Sequence, residues 1–83
     1  VVIDFHAVWC GPCKWIAPSI ETMAENNTGV VFLKVDVDEN SEASEKYSIE
    51  AMPTFKFVKS GQIVATITGA NAVSVEAAMN QYK

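Results

Sequence analysis

Cys10 and Cys13 stand three residues apart, and the chain holds no other cysteine. A pair at this spacing can hold half of a zinc site, close a small structural disulfide, or cycle between dithiol and disulfide. A zinc site would need two more soft ligands, and the sequence offers one histidine, His6. A bridge so local closes too short a loop to staple much of a fold. Redox chemistry is the reading that the context favours, because an apolar run precedes the pair and a helical pattern follows it. At a helix start, unpaired backbone N–H groups and the positive end of the helix dipole favour a thiolate, drawing a cysteine below its ordinary pKa of ~8.5. Cys10 is therefore expected to attack a partner's disulfide. Cys13, one turn further in and expected to be more buried, would resolve the mixed disulfide and release the reduced partner.

Other residues could take part. Asp4 is an acid in an otherwise apolar strand, six residues before Cys10; burial there would raise its pKa and suit it to exchange protons. His6 lies four residues before Cys10, but strand alternation alone does not aim it at the thiol. Lys34 falls in the neighbouring strand, where it reads by itself as a snorkelling surface lysine. Asp36, Asp38 and Asn40 have a calcium-loop spacing, yet Ser41 stands where glycine is required and Tyr47 where the closing glutamate belongs. They read as a solvated acidic edge.

The elements that must position these groups follow from periodicity. Val1 to Ala7 is a nearly continuous apolar run, the signature of a strand buried on both faces. After Pro12 the period changes to that of a helix through Ile16, Ile20, Met23 and Ala24, which Asn26-Asn27-Thr28-Gly29 ends. Val30 to Val37 reads as a second buried strand, with Leu33, Val35 and Val37 on one face and Phe32 on the other. A crossover helix between them makes a right-handed βαβ unit with parallel strands. Asn40 or Ser41 can cap a short helix through Tyr47. Thr54 to Val58 and Ile63 to Thr68 form an antiparallel hairpin around Lys59-Ser60-Gly61-Gln62. Asn71 then caps a helix that buries Val75, Ala78, Met79 and Tyr82. The order is β-α-β-α-β-β-α, an α/β domain over residues 1–83.

At 83 residues there is room for one core and not for two. A net charge of −4 with no basic cluster disfavours nucleic acid and anionic membrane, and no apolar run reaches the ~18 residues of a spanning helix. Protein partners fit better. The shortage of extra cysteines suits a reducing compartment, so a cytoplasmic setting is expected.

The stretch Asp4-Phe5-His6-Ala7-Val8-Trp9-Cys10-Gly11-Pro12-Cys13-Lys14 resembles the signature of the thioredoxin family, and Ala51-Met52-Pro53-Thr54 followed by Gly69 resembles the loops that face it. The likeness spans the chain. It implies a thioredoxin-like fold, a mixed sheet of about four strands flanked by three helices, without the strand and helix that usually come first. It also implies a cis Met52-Pro53 bond, a role for Asp4 in proton exchange with Cys13, and a lysine accompanying that acid at Lys34. Trp9, Met52, Gly69 and Ala70 would form an apolar client surface. Gly11-Pro12 between the cysteines is the pairing of the family's reductants, which implies protein-disulfide reduction recharged by an NADPH-dependent thioredoxin reductase, with no bound cofactor or metal. Two alternatives stand beside it: a redox domain serving one client within a larger protein, and a non-catalytic interaction module. Without a further helix, one sheet face near Asp36 to Tyr47 should be partly uncovered and Val30 to Val37 should be an edge. A dimer, another partner there, or continuation in a longer protein is the expectation.

Overall fold

The computed structural model describes every residue except Ser48 and Glu50. Its elements are β1 (Val2–His6), α1 (Gly11–Asn26), β2 (Phe32–Asp36), α2 (Ser41–Lys46), β3 (Thr54–Lys59), β4 (Gln62–Thr68) and α3 (Ala72–Tyr82). All seven lie where the periodicity puts them. The strands form one sheet in the order β2-β1-β3-β4. β1 pairs parallel with β2 and antiparallel with β3, and β3 and β4 make the hairpin. Ser60 and Gly61 turn that hairpin with positive φ at both positions, which matches the right-handed twist of the flanking strands.

β1 sits inside the sheet, so Val2 to Phe5 are all buried. Alternation places Val2 and Asp4 on the face under α1 and α3, and Ile3 and Phe5 on the other. The main core lies on the first face: Val2, Phe55 and Phe57 from the sheet, Ile16, Ile20 and Met23 from α1, and Val75, Ala78 and Met79 from α3. Helix α1 continues through Pro18. The expected cap of α3 is present, with Asn71 Oδ1 accepting the Ser74 N–H at 3.1 Å. Asn40 occupies the cap position of α2, but its amide donates back to the Asp36 carbonyl instead of capping the helix.

The second face is thinner. Phe5 is fully buried there against Tyr47, with ring centroids 5.4 Å apart. Beyond this contact Leu33 and Ile63 remain about half exposed, with Val1 and Val31 at the margin. β2 is thus shorter than expected and an edge strand. Leu33 is not the core residue that alternation implied, because the short helix α2 does not cover that end of the sheet.

This difference between faces has an energetic consequence. Phe55→Ala should destabilise the domain by about 3–5 kcal/mol, since it removes a fully buried ring and leaves a cavity. Leu33→Ala should cost much less; urea denaturation of the two variants measures the contrast.

Candidate active site

The carboxyl end of β1 delivers the chain into α1 at Cys10, which is the N-cap residue of that helix. Its backbone is extended, and its Sγ accepts the Cys13 N–H at 3.2 Å. Pro12 fits the first turn, where a missing N–H removes nothing that the helix needs. No acidic side chain stands in that turn to offset the positive end of the dipole. Cys10 and Cys13 are joined as a disulfide with their Cα atoms 5.3 Å apart, a separation that a disulfide spans readily.

The expected difference in burial between the cysteines is absent. Cys10 is 4% exposed and Cys13 6%, because in the disulfide form both pack into one small apolar cluster with Ala7, Val37 and Met52. What distinguishes them is position. Cys10 holds the cap, whereas Cys13 lines a cleft of 380 Å³ together with Asp4, His6, Lys14 and Lys34.

Asp4 is 5% exposed, and its Oδ1 has no hydrogen-bond partner among the described residues. Burial pushes its carboxyl above the ordinary value of 3.8, while His6 and Lys34 pull it back down. Lys34 faces Asp4 across the β1–β2 ladder and also reaches Glu21 on α1, at 3.7 Å. Its side chain is half exposed, so it borders the cleft and water together. His6 lines this cleft with Cys13; Cys10 is not part of its wall.

On the other side of the helix start lies an apolar groove of 510 Å³ formed by Gly11, Pro12, Trp15, Met52, Gly69 and Ala70. The Met52–Pro53 peptide bond is cis, as expected. The Gly69 N–H donates to the Pro53 carbonyl at 2.9 Å, which ties the two loops of this wall together. Gly69 has φ +91°, a conformation that side-chain-bearing residues rarely adopt, and a Cβ there or at Gly11 would meet open space. The groove therefore has room for an approaching backbone.

Trp9 stands apart from this groove. Its ring is largely exposed and its Nε1 donates to Asp38 Oδ2 at 2.8 Å, which turns it toward the β2–α2 connection. The aromatic wall is supplied by Trp15, 74% exposed on α1. Sequence reasoning misses both the place of Trp15 and the bond made by Asp38. Trp15 falls off the stripe of Ile16, Ile20 and Met23, and a large aromatic on the polar side of α1 is the signal that could have found it; Asp38 reads as one more acid of a solvated edge, and only the β1–β2 register brings it to a residue 29 positions earlier.

Asp4 generates a stability prediction. Because its proton affinity is raised in the folded state, the folded chain holds more protons than the unfolded one between 3.8 and the raised value. Stability should fall as pH rises through that window. Asp4→Asn should flatten this dependence and stabilise the domain at pH 7, because it removes the cost of carrying a charge at a buried position. Denaturant melts between pH 4 and 8 would read it.

Comparison with known proteins agrees with this geometry. The sequence pattern of the Thioredoxin family matches residues 1–81. Thioredoxin 1 of Plasmodium falciparum is 50% identical over 82 residues, covering 99% of this chain and 79% of that protein. Human thioredoxin is 44% identical over 81 residues, covering 98% and 77%. The X-ray structure of Fasciola hepatica thioredoxin superposes with a TM-score of 0.97 at 49% identity, covering 99% of this chain and 79% of that one. The fold, the cysteine pair and these matches place the chain in the thioredoxin family, the thiol–disulfide oxidoreductases that reduce protein disulfides.

Proposed function

We propose that residues 1–83 act as one thioredoxin domain in which Cys10 is the attacking thiol, Cys13 the resolving thiol and Asp4 the proton acceptor for Cys13. The observation that carries this reading is the capping of α1 by Cys10 Sγ, which sets one sulfur at a helix N-terminus and the other beside a buried carboxyl. The Cys10 thiolate attacks one sulfur of a client disulfide, forming a mixed disulfide and expelling the first client sulfur as a thiolate that picks up a proton. Asp4 takes the Cys13 proton. The new thiolate attacks Cys10 Sγ, the Cys10–client bond breaks, and its electron pair leaves with the second client sulfur. The client gains two electrons and two protons, and the chain becomes a disulfide.

Client binding falls to the groove of Gly11, Pro12, Met52, Gly69 and Ala70, with Pro53 and Trp9 as supports of the site. Among the described residues its wall carries no charged side chain, which favours an extended apolar segment around the disulfide. Lys34 assists by holding positive charge opposite Asp4.

The rest of the reading follows from family membership and composition. An NADPH-dependent thioredoxin reductase recharges the disulfide, the setting is the cytoplasm, and the activity serves electron transfer and redox homeostasis. Among the described residues no helix is long and apolar enough to cross a membrane. The exposed Leu33 and Ile63 with the free edge of β2 support pairing of two copies across that face.

Cys10→Ser should abolish reduction of insulin disulfides. Cys13→Ser should accumulate a mixed disulfide visible by mass. The Cys10/Cys13 couple, titrated against dithiothreitol, should lie toward the reducing end of the range, at about −270 mV, the established value for thioredoxin itself, carried over to this chain from the family. A Cys10→Ser variant with full activity would favour the interaction-module reading instead.

A further inference from the structure

We propose that Trp15 is a specificity-determining residue of the client groove: it selects disulfides that carry a large apolar side chain two residues from the cysteine that Cys10 attacks. The inference rests on the reading of this groove as the client surface and of Cys10 as the attacking thiol.

The exposure of Trp15 is the first observation. Its side chain is 74% exposed, stands off the stripe of Ile16, Ile20 and Met23, and belongs to neither apolar cluster of the core. An indole left in water contributes little to folding, and it gains most when a second apolar surface covers it. Trp9, the other exposed tryptophan, is held by Asp38 and is not part of the groove wall.

The place of Trp15 is the second observation. Gly11 and Trp15 are four residues apart on α1 and lie on one face of the helix, with Cys10 at the cap immediately before Gly11. Met52 lines the same groove and also packs against the cluster of Ala7, Cys10 and Cys13. The groove is thus continuous with the site of attack and reaches the indole. A mixed disulfide on Cys10 tethers the client at this point, so the occupant is the stretch of client chain beside the client's own cysteine.

Helical and extended geometry then set the register. From Gly11 to Trp15 is about 6 Å along the helix axis. An extended client advances about 3.3 Å per residue and turns every second side chain to the same face. Two residues from its cysteine it has covered the same distance, and the side chain there points the way the cysteine does, into the groove. Among the described residues the wall carries no charge, so a charged side chain at that position would lose hydration without gaining a partner. A large apolar one covers the indole, which has only two side-chain torsions to order, while the flexible thioether of Met52 adapts to its shape. The selection acts on client binding and adds no redox step.

The test uses two symmetrical peptides, each a pair of identical strands joined by one cystine, with phenylalanine or serine at both positions two residues from the cysteine. The pre-reduced 83-residue chain is mixed with each, and the second-order rate of peptide release is followed by chromatography. The wild type should reduce the phenylalanine peptide about tenfold faster than the serine peptide, the size expected for partial burial of one large apolar side chain. Trp15→Ser should bring that ratio close to one, and Trp15→Phe should keep most of it. Because the ratio is read within each variant, a general loss of folding or of thiol reactivity cancels. A wild-type ratio near one, or an undiminished ratio in Trp15→Ser, would overturn the proposal. Ala70→Asp sets a charge in the groove and should slow the phenylalanine peptide; rates unchanged for both peptides would instead remove the underlying reading of the groove as the client surface.

Discussion

The structure depends on one junction, where β1 ends and α1 begins with a cysteine as the cap. A helix start leaves four backbone N–H groups without intrahelical partners, and most chains satisfy them with Ser, Thr, Asp or Asn. Here the acceptor is Cys10 Sγ, bonded to the Cys13 N–H. A thiolate is a stronger acceptor than a thiol or a disulfide sulfur, so this contact is strengthened by the state that reacts. In the proposed mechanism, capping and activation are the same interaction. For it to work, β1 must be held firmly, and its place between a parallel and an antiparallel neighbour does that.

The same strand carries the unfavourable element of the design. Asp4 occupies a position in β1 where an apolar residue would pack under α1, and its Oδ1 goes unsatisfied. The fully buried rings of Phe5, Phe55 and Phe57 on the central strands offset that loss. Carrying both the acid and the entry to Cys10, β1 fixes the carboxyl and the Cys13 sulfur on two elements joined by a short turn. Their relative placement then depends little on the more exposed β2 or on α2.

Most of the architecture is legible in the sequence because it is written in local periodicity. The apolar spacing of Ile16, Ile20 and Met23, the Asn71 cap and the Ser60-Gly61 turn each specify their element with little help from tertiary contacts. What escapes depends on pairing across the fold. Leu33 alternates like a core residue, but no helix covers its end of the sheet. Asn40 looks like a helix cap and instead bonds back to the Asp36 carbonyl. Trp9 is expected on the client groove, but Asp38 holds its indole elsewhere, and Trp15, which stands off the apolar stripe of α1, takes the wall. The cysteine pair and Asp4 are legible for the opposite reason: their residue types are out of keeping with the strand and helix start that hold them.

The helix start separates two environments that the reaction needs to keep apart. On one side the groove of Pro12, Trp15, Met52 and Ala70 is uncharged among the described residues, so in the proposed mechanism a client segment approaches without the desolvation penalty of a fixed charge. On the other, Asp4, His6, Lys14 and Lys34 line the cleft together with Cys13, and the proposed proton exchange takes place there, away from the proposed client groove. A single site serving both purposes would either bury charge beneath a bound client or admit water beneath the mixed disulfide. Three residues of spacing suffice to avoid this. One helical turn sets Cys10 at the cap and Cys13 in the wall of the cleft that Asp4 also lines, while the Cα atoms stay 5.3 Å apart, close enough for the sulfurs to bond.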